Sequence, residues 1–151
     1  METNPMPHTY SCVYVHIVFG VKYRQRLIGP SWKDELCKYI SGIISSKGHK
    51  PLIVNGYANH IHCLVGLRPS MSISDLVRDI KNNSSKFVNE KRLSSRKFAW
   101  QEGYAVFSCA ASNVDLVYRY IRNQEQHHRH KSFLEEYREL IGNVRDDYGF
   151  D

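Results

Sequence analysis

The sequence predicts an α+β fold, an antiparallel sheet in βαββαβ order known as the ferredoxin-like split βαβ arrangement, with an additional C-terminal helix. Three observations predict it. Four short segments alternate apolar and polar residues or are rich in β-branched and aromatic residues, as strands are. Two longer segments place apolar residues at helical spacing, one after the first strand and one after the third. Proline and glycine mark the borders between them at Pro30, Gly48 and Pro69.

Residues 10–21, YSCVYVHIVFGV, read as the first strand. Ser11, Val13, Val15, Ile17 and Phe19 share one face, and Tyr10, Cys12, Tyr14, His16 and Val18 share the other. Lys22 and Arg24 belong to a basic loop, KYRQR. Pro30 and Ser31 open the first helix, where Ser31 with Asp34 resembles a capping pair. Trp32, Leu36, Ile40, Ile43 and Ile44 then form its apolar stripe, and Gly48 stops it. Residues 51–57 are the second strand, with Asn55-Gly56 as a turn signal, and the strand carrying His60 and His62 follows. Ser72 with Asp75 caps the second helix, whose stripe is Ile73, Leu76, Val77, Ile80 and Phe87. Residues 104–110 form the last strand. A further helix begins near Ser112, capped with Asp115, and bends near His130. In this topology the first and third strands are central, two helices cover one sheet face, and the other face displays Tyr14, His16, His60 and His62.

The chain of 151 residues is long enough for one domain with a real core. Residues 1–9 are expected to be a flexible N-terminus, residues 10–131 the functional domain, and residues 132–151 a helical extension and tail. A net charge of +6 favours a polyanionic partner, nucleic acid first. No apolar run approaches the ~18 residues of a membrane span, and the N-terminus lacks a signal-peptide pattern. Cys12, Cys37, Cys63 and Cys109 contain no C-x-x-C pair. They read as buried or half-buried thiols of a reduced, cytoplasmic protein.

The chemistry centres on His60-Ile61-His62. Side chains alternate along a strand, so the two imidazoles share a face and can hold one metal ion. The pair taken alone is equally compatible with an exposed polar face. In the C-terminal helix, Val114, Val117, Tyr118 and Ile121 lie on one side, which makes Tyr118 a packing tyrosine. Leu116, Tyr120, Asn123, Gln124 and His127 lie on the other. If that helix crosses the open sheet face, Tyr120 and Gln124 reach the histidines. His60, His62 and Gln124 would then bind a divalent cation, Mg²⁺ or Mn²⁺, and the Tyr120 hydroxyl would attack a phosphodiester. His16, Lys22, Arg24, Arg78, Lys81, Lys86, Arg119 and Arg122 are candidate nucleic-acid contacts. The cluster His127, His128 and His130 reads as a basic, solvated helix end.

Four stretches carry a family resemblance: YVHIVFGVKYRQRLI, the block from GHKPLIVNGYANHIHCLVGL to SSKFVN, FAWQEGYAVFS, and VYRYIRNQEQHHR. The sequence resembles the single-tyrosine HUH transposases of the insertion-sequence-200/605 family, including the tyrosine transposases associated with repetitive extragenic palindromes. The resemblance spans about residues 10–130. It implies that His60 and His62 are metal ligands, Gln124 the third ligand and Tyr120 the nucleophile of a 5′-phosphotyrosine intermediate. It further implies cleavage and rejoining of single-stranded DNA at hairpin-bearing ends, and a homodimer joined through sheet edges in which the tyrosine helix can act in trans. A bacterial or archaeal cytoplasm, near the nucleoid, is the implied location. Where the family often has Asp before the first histidine, this chain has Asn59, which is expected to tune metal affinity. The alternatives are a domesticated endonuclease that processes chromosomal hairpins and a catalytically silent hairpin-binding protein.

Overall fold

The computed structural model describes residues 10–69 and 72–148, with side chains to residue 142. The expected flexible segment 1–9 therefore lies outside the described residues. The first strand, β1 (Val13–Gly20), is followed by helix α1 (Lys33–Ser46), strands β2 (Lys50–Tyr57) and β3 (His60–Leu67), helix α2 (Ile73–Glu90) and strand β4 (Ala105–Cys109). The four strands form one antiparallel sheet in the order β2-β3-β1-β4, so β1 and β3 are central as the split βαβ reading requires.

The alternation in β1 and β3 decides what lies on each side. Val15, Ile17, Phe19, Ile61, Cys63 and Val65 point into the core against Leu36, Ile40, Ile43 and Ile44 of α1 and Leu76, Val77, Ile80 and Val88 of α2. Burying each large aliphatic side chain contributes about 1.5–3 kcal/mol, so this layer holds the sheet in register. One polar residue, Ser84, sits within the α2 stripe. Its hydroxyl donates to the Ile80 carbonyl at 2.6 Å and accepts the Trp100 indole N–H at 2.9 Å, so both of these buried donors are paired. Phe19, Phe98 and Trp100 meet edge to face beside it.

Several local expectations are corrected. β1 starts at Val13, and Cys12 precedes it exposed rather than half-buried. The end of the first helix is as expected, with Gly48 at φ +87° just past it. At its start, however, Trp32 occupies the cap position and no side chain caps α1, so Ser31 does not play that part. Ser72 does cap α2, accepting from the Asp75 N–H at 3.2 Å. Asn55-Gly56 lies within β2, and the turn falls at Ala58-Asn59, because Tyr57 pairs with His60. Gly56 answers a different need: a Cβ there would collide with the His60 carbonyl oxygen. The glycine allows close approach of two backbones rather than a bend.

The C-terminal segment is not one bent helix. After a 3-10 turn at Ala111–Asn113, where no side chain caps, it forms α3 (Val114–Arg122), the single turn α4 (Gln124–His127) and α5 (Phe133–Tyr148). The first break is at Asn123, with φ −96° and ψ 23°. The second, at 128–132, coincides with the bend expected near His130. These helices lie across the sheet face opposite α1 and α2, so the histidine face is covered rather than open. Among the described residues no helix is long and apolar enough to cross a membrane.

Gly56→Ala is expected to cost about 1–3 kcal/mol through steric overlap with the β3 backbone, read as a lowered urea midpoint at unchanged slope. An unchanged midpoint would show that the two strands can part at no cost.

Candidate active site

The histidine face is assembled from the ladder. Gly20 pairs with His60 and Val18 with His62 across β1–β3, while Asn55 pairs with His62 and Tyr57 with His60 across β2–β3. Directly paired residues share a face, so His16, Val18, Asn55, Tyr57, His60 and His62 line one surface. Asn55 then fastens the tyrosine helix to it. Its amide donates to the carbonyls of Ile121 at 2.9 Å and Arg122 at 3.1 Å, groups left open where α3 ends. That anchor turns Val117, Tyr120, Ile121 and Gln124 toward the sheet.

The helix phase differs from the expected one: Val117 and Ile121 face the sheet together with Tyr120 and Gln124, not opposite them. Tyr118 is 37% exposed and Leu116 61%, so Tyr118 is not the packing tyrosine. The inward stripe runs through polar Tyr120 and Gln124 because it faces polar histidines. An apolar-stripe criterion assigns such a face to solvent.

Four sequence-predicted residues do converge. Gln124 is fully buried, with Oε1 2.9 Å from His60 Nε2. The Tyr120 ring lies edge-on to His62 at 5.9 Å between centroids. Tyr120 therefore stands over the histidines of its own chain. Two further residues complete the cluster and were not foreseen. Glu136 of α5, 2% exposed, sets Oε1 3.0 Å from His62 Nε2 and 3.4 Å from His60 Nε2. Its other oxygen accepts from Gln124 Nε2 at 3.0 Å and from the Tyr120 hydroxyl. His128 points inward, with Nε2 3.1 Å from Gln124 Oε1 and 3.3 Å from Glu136 Oε1, which corrects its reading as a solvated helix end. The sequence did hold a signal for Glu136: Phe133, Glu136, Tyr137 and Leu140 recur at helical spacing, which puts a carboxylate on an otherwise apolar stripe.

The second nitrogen of each ring identifies the character of the cluster. His60 Nδ1 donates to Asn59 Oδ1 at 2.9 Å, and His128 Nδ1 donates to the Lys131 carbonyl at 2.6 Å. A neutral imidazole has one N–H, so with Nδ1 donating, the neutral form of either ring presents Nε2 as a lone pair, and the protonated form donates from it. Both Nε2 atoms face Gln124 Oε1 and Glu136 Oε1. Buried imidazole nitrogens converging on an amide oxygen and a carboxylate are a donor set that suits a cation. Accordingly, the nitrogen and oxygen atoms of His60, His62 and Glu136 lie within 4.8 Å of one another, close enough to ligate one ion. Asn59 supplies the partner for His60 that a family aspartate would.

The charge states follow from burial. Burial, opposed by hydrogen bonds to Glu136 and Gln124, pushes the His60 imidazole down to about 4, so it is neutral at pH 7. Burial and the neighbouring His62 push His16 down to about 3. For Glu136 burial acts upward, yet hydrogen bonds with His128, His60 and His62 outweigh it and hold the carboxyl well below the usual range. Burial and the Glu136 carboxylate together raise the Tyr120 phenol above its ordinary value.

The expected DNA contacts separate into groups. His16 is 6% exposed and bonds His62 Nδ1 at 2.7 Å, so it orients that ring instead of meeting a ligand. Arg78, Lys81 and Lys86 belong to α2, on the far side of the sheet. There Arg78 pairs with Asp75 and Asp79, Lys86 approaches Glu90, and Lys81 donates to the carbonyls of Gln101 and Gly103. Lys22 and Arg24 are exposed beyond the end of β1, and Arg119 and Arg122 are exposed on α3.

The fold and the clustered side chains agree with the class expected from the sequence, a transposase. Residues 9–124 match the family model described as "Transposase IS200 like", and the chain belongs to that family. It is 29% identical over 130 residues to the transposase for insertion sequence element IS200 of Salmonella typhimurium, covering 82% of this chain and 84% of that protein. It is 23% identical over 122 residues to the ISDra2 transposase TnpA of Deinococcus radiodurans, covering 78% and 86%. Among solved structures, a candidate transposase from Deinococcus radiodurans R1 superposes with a TM-score of 0.63 at 19% identity, over 81% of this chain and 98% of that one. A REP-associated tyrosine transposase bound to a REP hairpin superposes with a TM-score of 0.60 at 13% identity, over 83% and 74%. Glu136 and His128 lie beyond residues 9–124, which the family model matches.

Replacing Glu136 with Gln removes the negative charge beside the phenol. The Tyr120 ionisation is then expected to move down toward the ordinary ~10. An ultraviolet titration of E136Q, with E136Q/Y120F as the blank, reads the shift. A phenol that stays as high as in the wild type would mean burial alone sets it.

Proposed function

We propose that this transposase cleaves and rejoins single-stranded DNA at hairpin-bearing ends, with Tyr120 as the nucleophile. His60, His62 and Gln124, joined by Glu136, would hold the divalent cation. The observation that carries this reading is a shared carboxylate: Glu136 accepts from the Tyr120 hydroxyl with one oxygen and faces both histidines with the other. The attacking oxygen and the cation donors are thus held by one residue. The hairpin substrate is supported by the solved REP-associated relative, which is bound to one.

In cleavage the Tyr120 oxygen bonds to phosphorus while the bond from phosphorus to the 3′ oxygen breaks. The phenol proton is balanced by the proton gained at the new 3′-hydroxyl. Rejoining is the reverse, with a DNA 3′-hydroxyl attacking and the phenol leaving, so no nucleoside triphosphate is consumed. A phenol suits both directions because its ordinary pKa of ~10 makes it a better leaving group than an alkyl alcohol. Two imidazoles, an amide oxygen and a carboxylate suit Mn²⁺ as well as Mg²⁺. A bound cation would polarise the phosphodiester and offset charge on its oxygens. His16 and Asn59 keep the imidazoles oriented, and Asn55 holds the tyrosine over them.

The same proposal includes action in the cytoplasm of a prokaryote as a homodimer through the sheet edges, where β2 and β4 are the outer strands. Tyr120 meets its own chain's histidines in this structure, the geometry that cis attack would use.

Titration calorimetry of the DNA-free protein with Mn²⁺ should show one site, lost in His60→Ala and His62→Ala and kept in Tyr120→Phe. Incubation with a hairpin-bearing single strand and Mn²⁺ should attach the wild type covalently and leave Y120F unattached while still bound to the hairpin. An adduct that survives in Y120F would overturn the nucleophile assignment.

A further inference from the structure

Beside the site, between the end of β1 and the start of α5, lies a groove of about 380 Å³. Its walls are aromatic: Tyr23, Tyr104, Phe133 and Tyr137. Phe133 is also the wall of the site, since its ring stacks on His60 with centroids 4.2 Å apart and planes within 3°. The groove and the histidine cluster are therefore separated by one ring.

Tyr23 is presented in an unusual way. It is 75% exposed, and both it and Arg24 adopt left-handed backbone, with φ 59° and 55°. Two successive non-glycine residues in that region cost energy that ordinary loops avoid. The turn is held by the Tyr23 N–H donating to Gln101 Oε1 at 3.1 Å, and by the Arg24 carbonyl accepting from Asn59 at 3.3 Å. An exposed ring fixed on a braced turn serves as a platform. Lys22 lies 5.4 Å from the centre of that ring, and Arg24 lines the groove, so positive charge stands beside its aromatic wall. Glu102 also lines the groove and offers an acceptor.

We infer that this groove takes one unpaired nucleobase of the single strand adjoining the scissile phosphate. A π-faced, weakly polar ring flanked by phosphates fits aromatic walls with cations at the mouth, and base stacking of this kind tolerates any base. An apolar peptide or a lipid chain would leave Lys22 and Arg24 without counter-charges. The inference rests on the reading of the chain as a single-strand transposase.

The probe is a hairpin bearing a single-stranded oligothymidylate tail of about twelve nucleotides, with 5-iodouracil substituted along it. Irradiation should crosslink the wild type at Tyr23, Tyr104 or Tyr137, mapped by mass spectrometry. Tyr23→Ala should bind the tailed hairpin about tenfold more weakly, with Tyr23→Phe restoring affinity and both variants melting as the wild type does. Crosslinks confined to other surfaces, with Y23A binding as tightly as the wild type, would overturn the groove while the Tyr120 adduct still stood. Crosslinks in the groove without any Tyr120 adduct would support the groove and sink the transposase chemistry. No binding of the tailed hairpin at all would overturn both.

Discussion

Everything at the site depends on strand phase in β3. Ile61, Cys63 and Val65 are locked into the core by two helices, and that packing leaves His60 and His62 no choice of face. A slip of one residue would put both imidazoles into the apolar layer and three apolar side chains outside, at a cost of several buried side chains. The histidine positions are therefore fixed by residues that take no part in the chemistry. The His60 ring needs one further orienting contact, with Asn59, and the His62 ring one with His16.

The fold was legible because each element carries a local pattern. The β1 and β3 alternation, the α1 and α2 stripes, the Ser72 cap and Gly48 all act within a few residues. His60 and His62 were legible for the same reason, and Gln124 and Tyr120 through their four-residue spacing and the family motif. What escaped was decided at long range. Asn55 reads as a turn residue in sequence, yet it sits in a strand and pins a helix that begins 59 positions later at Val114. His16 looks like a ligand contact until its partner is known. Glu136 belongs to a helix that reaches the site only after two breaks in the chain, at Asn123 and at 128–132.

The helices over the histidine face also change the character of the sheet. An open ferredoxin-like sheet is a flat platform. Here α3 and α5 roof it, and the roof is partly polar where it covers the cluster and aromatic where Phe133 and Tyr137 pack on Val18 and Ala105. The polar part brings the tyrosine, the amide and the carboxylate. The aromatic part excludes water from one side of His60, which sustains the neutral imidazole that a cation ligand must be.

Asn59 has a consequence that its neighbours do not share. An amide has an accepting end and a donating end, and this one uses both: the oxygen takes the His60 Nδ1–H and the nitrogen gives to the Arg24 carbonyl. A carboxylate could do only the first. The side chain thus works as a rigid strut between an imidazole and a turn 35 positions earlier in the chain. The tilt of the ring and the conformation of the turn cease to be independent variables, and an amide flip would release both at once. What looks in sequence like the loss of a charge beside the histidine is, in three dimensions, the gain of a mechanical linkage.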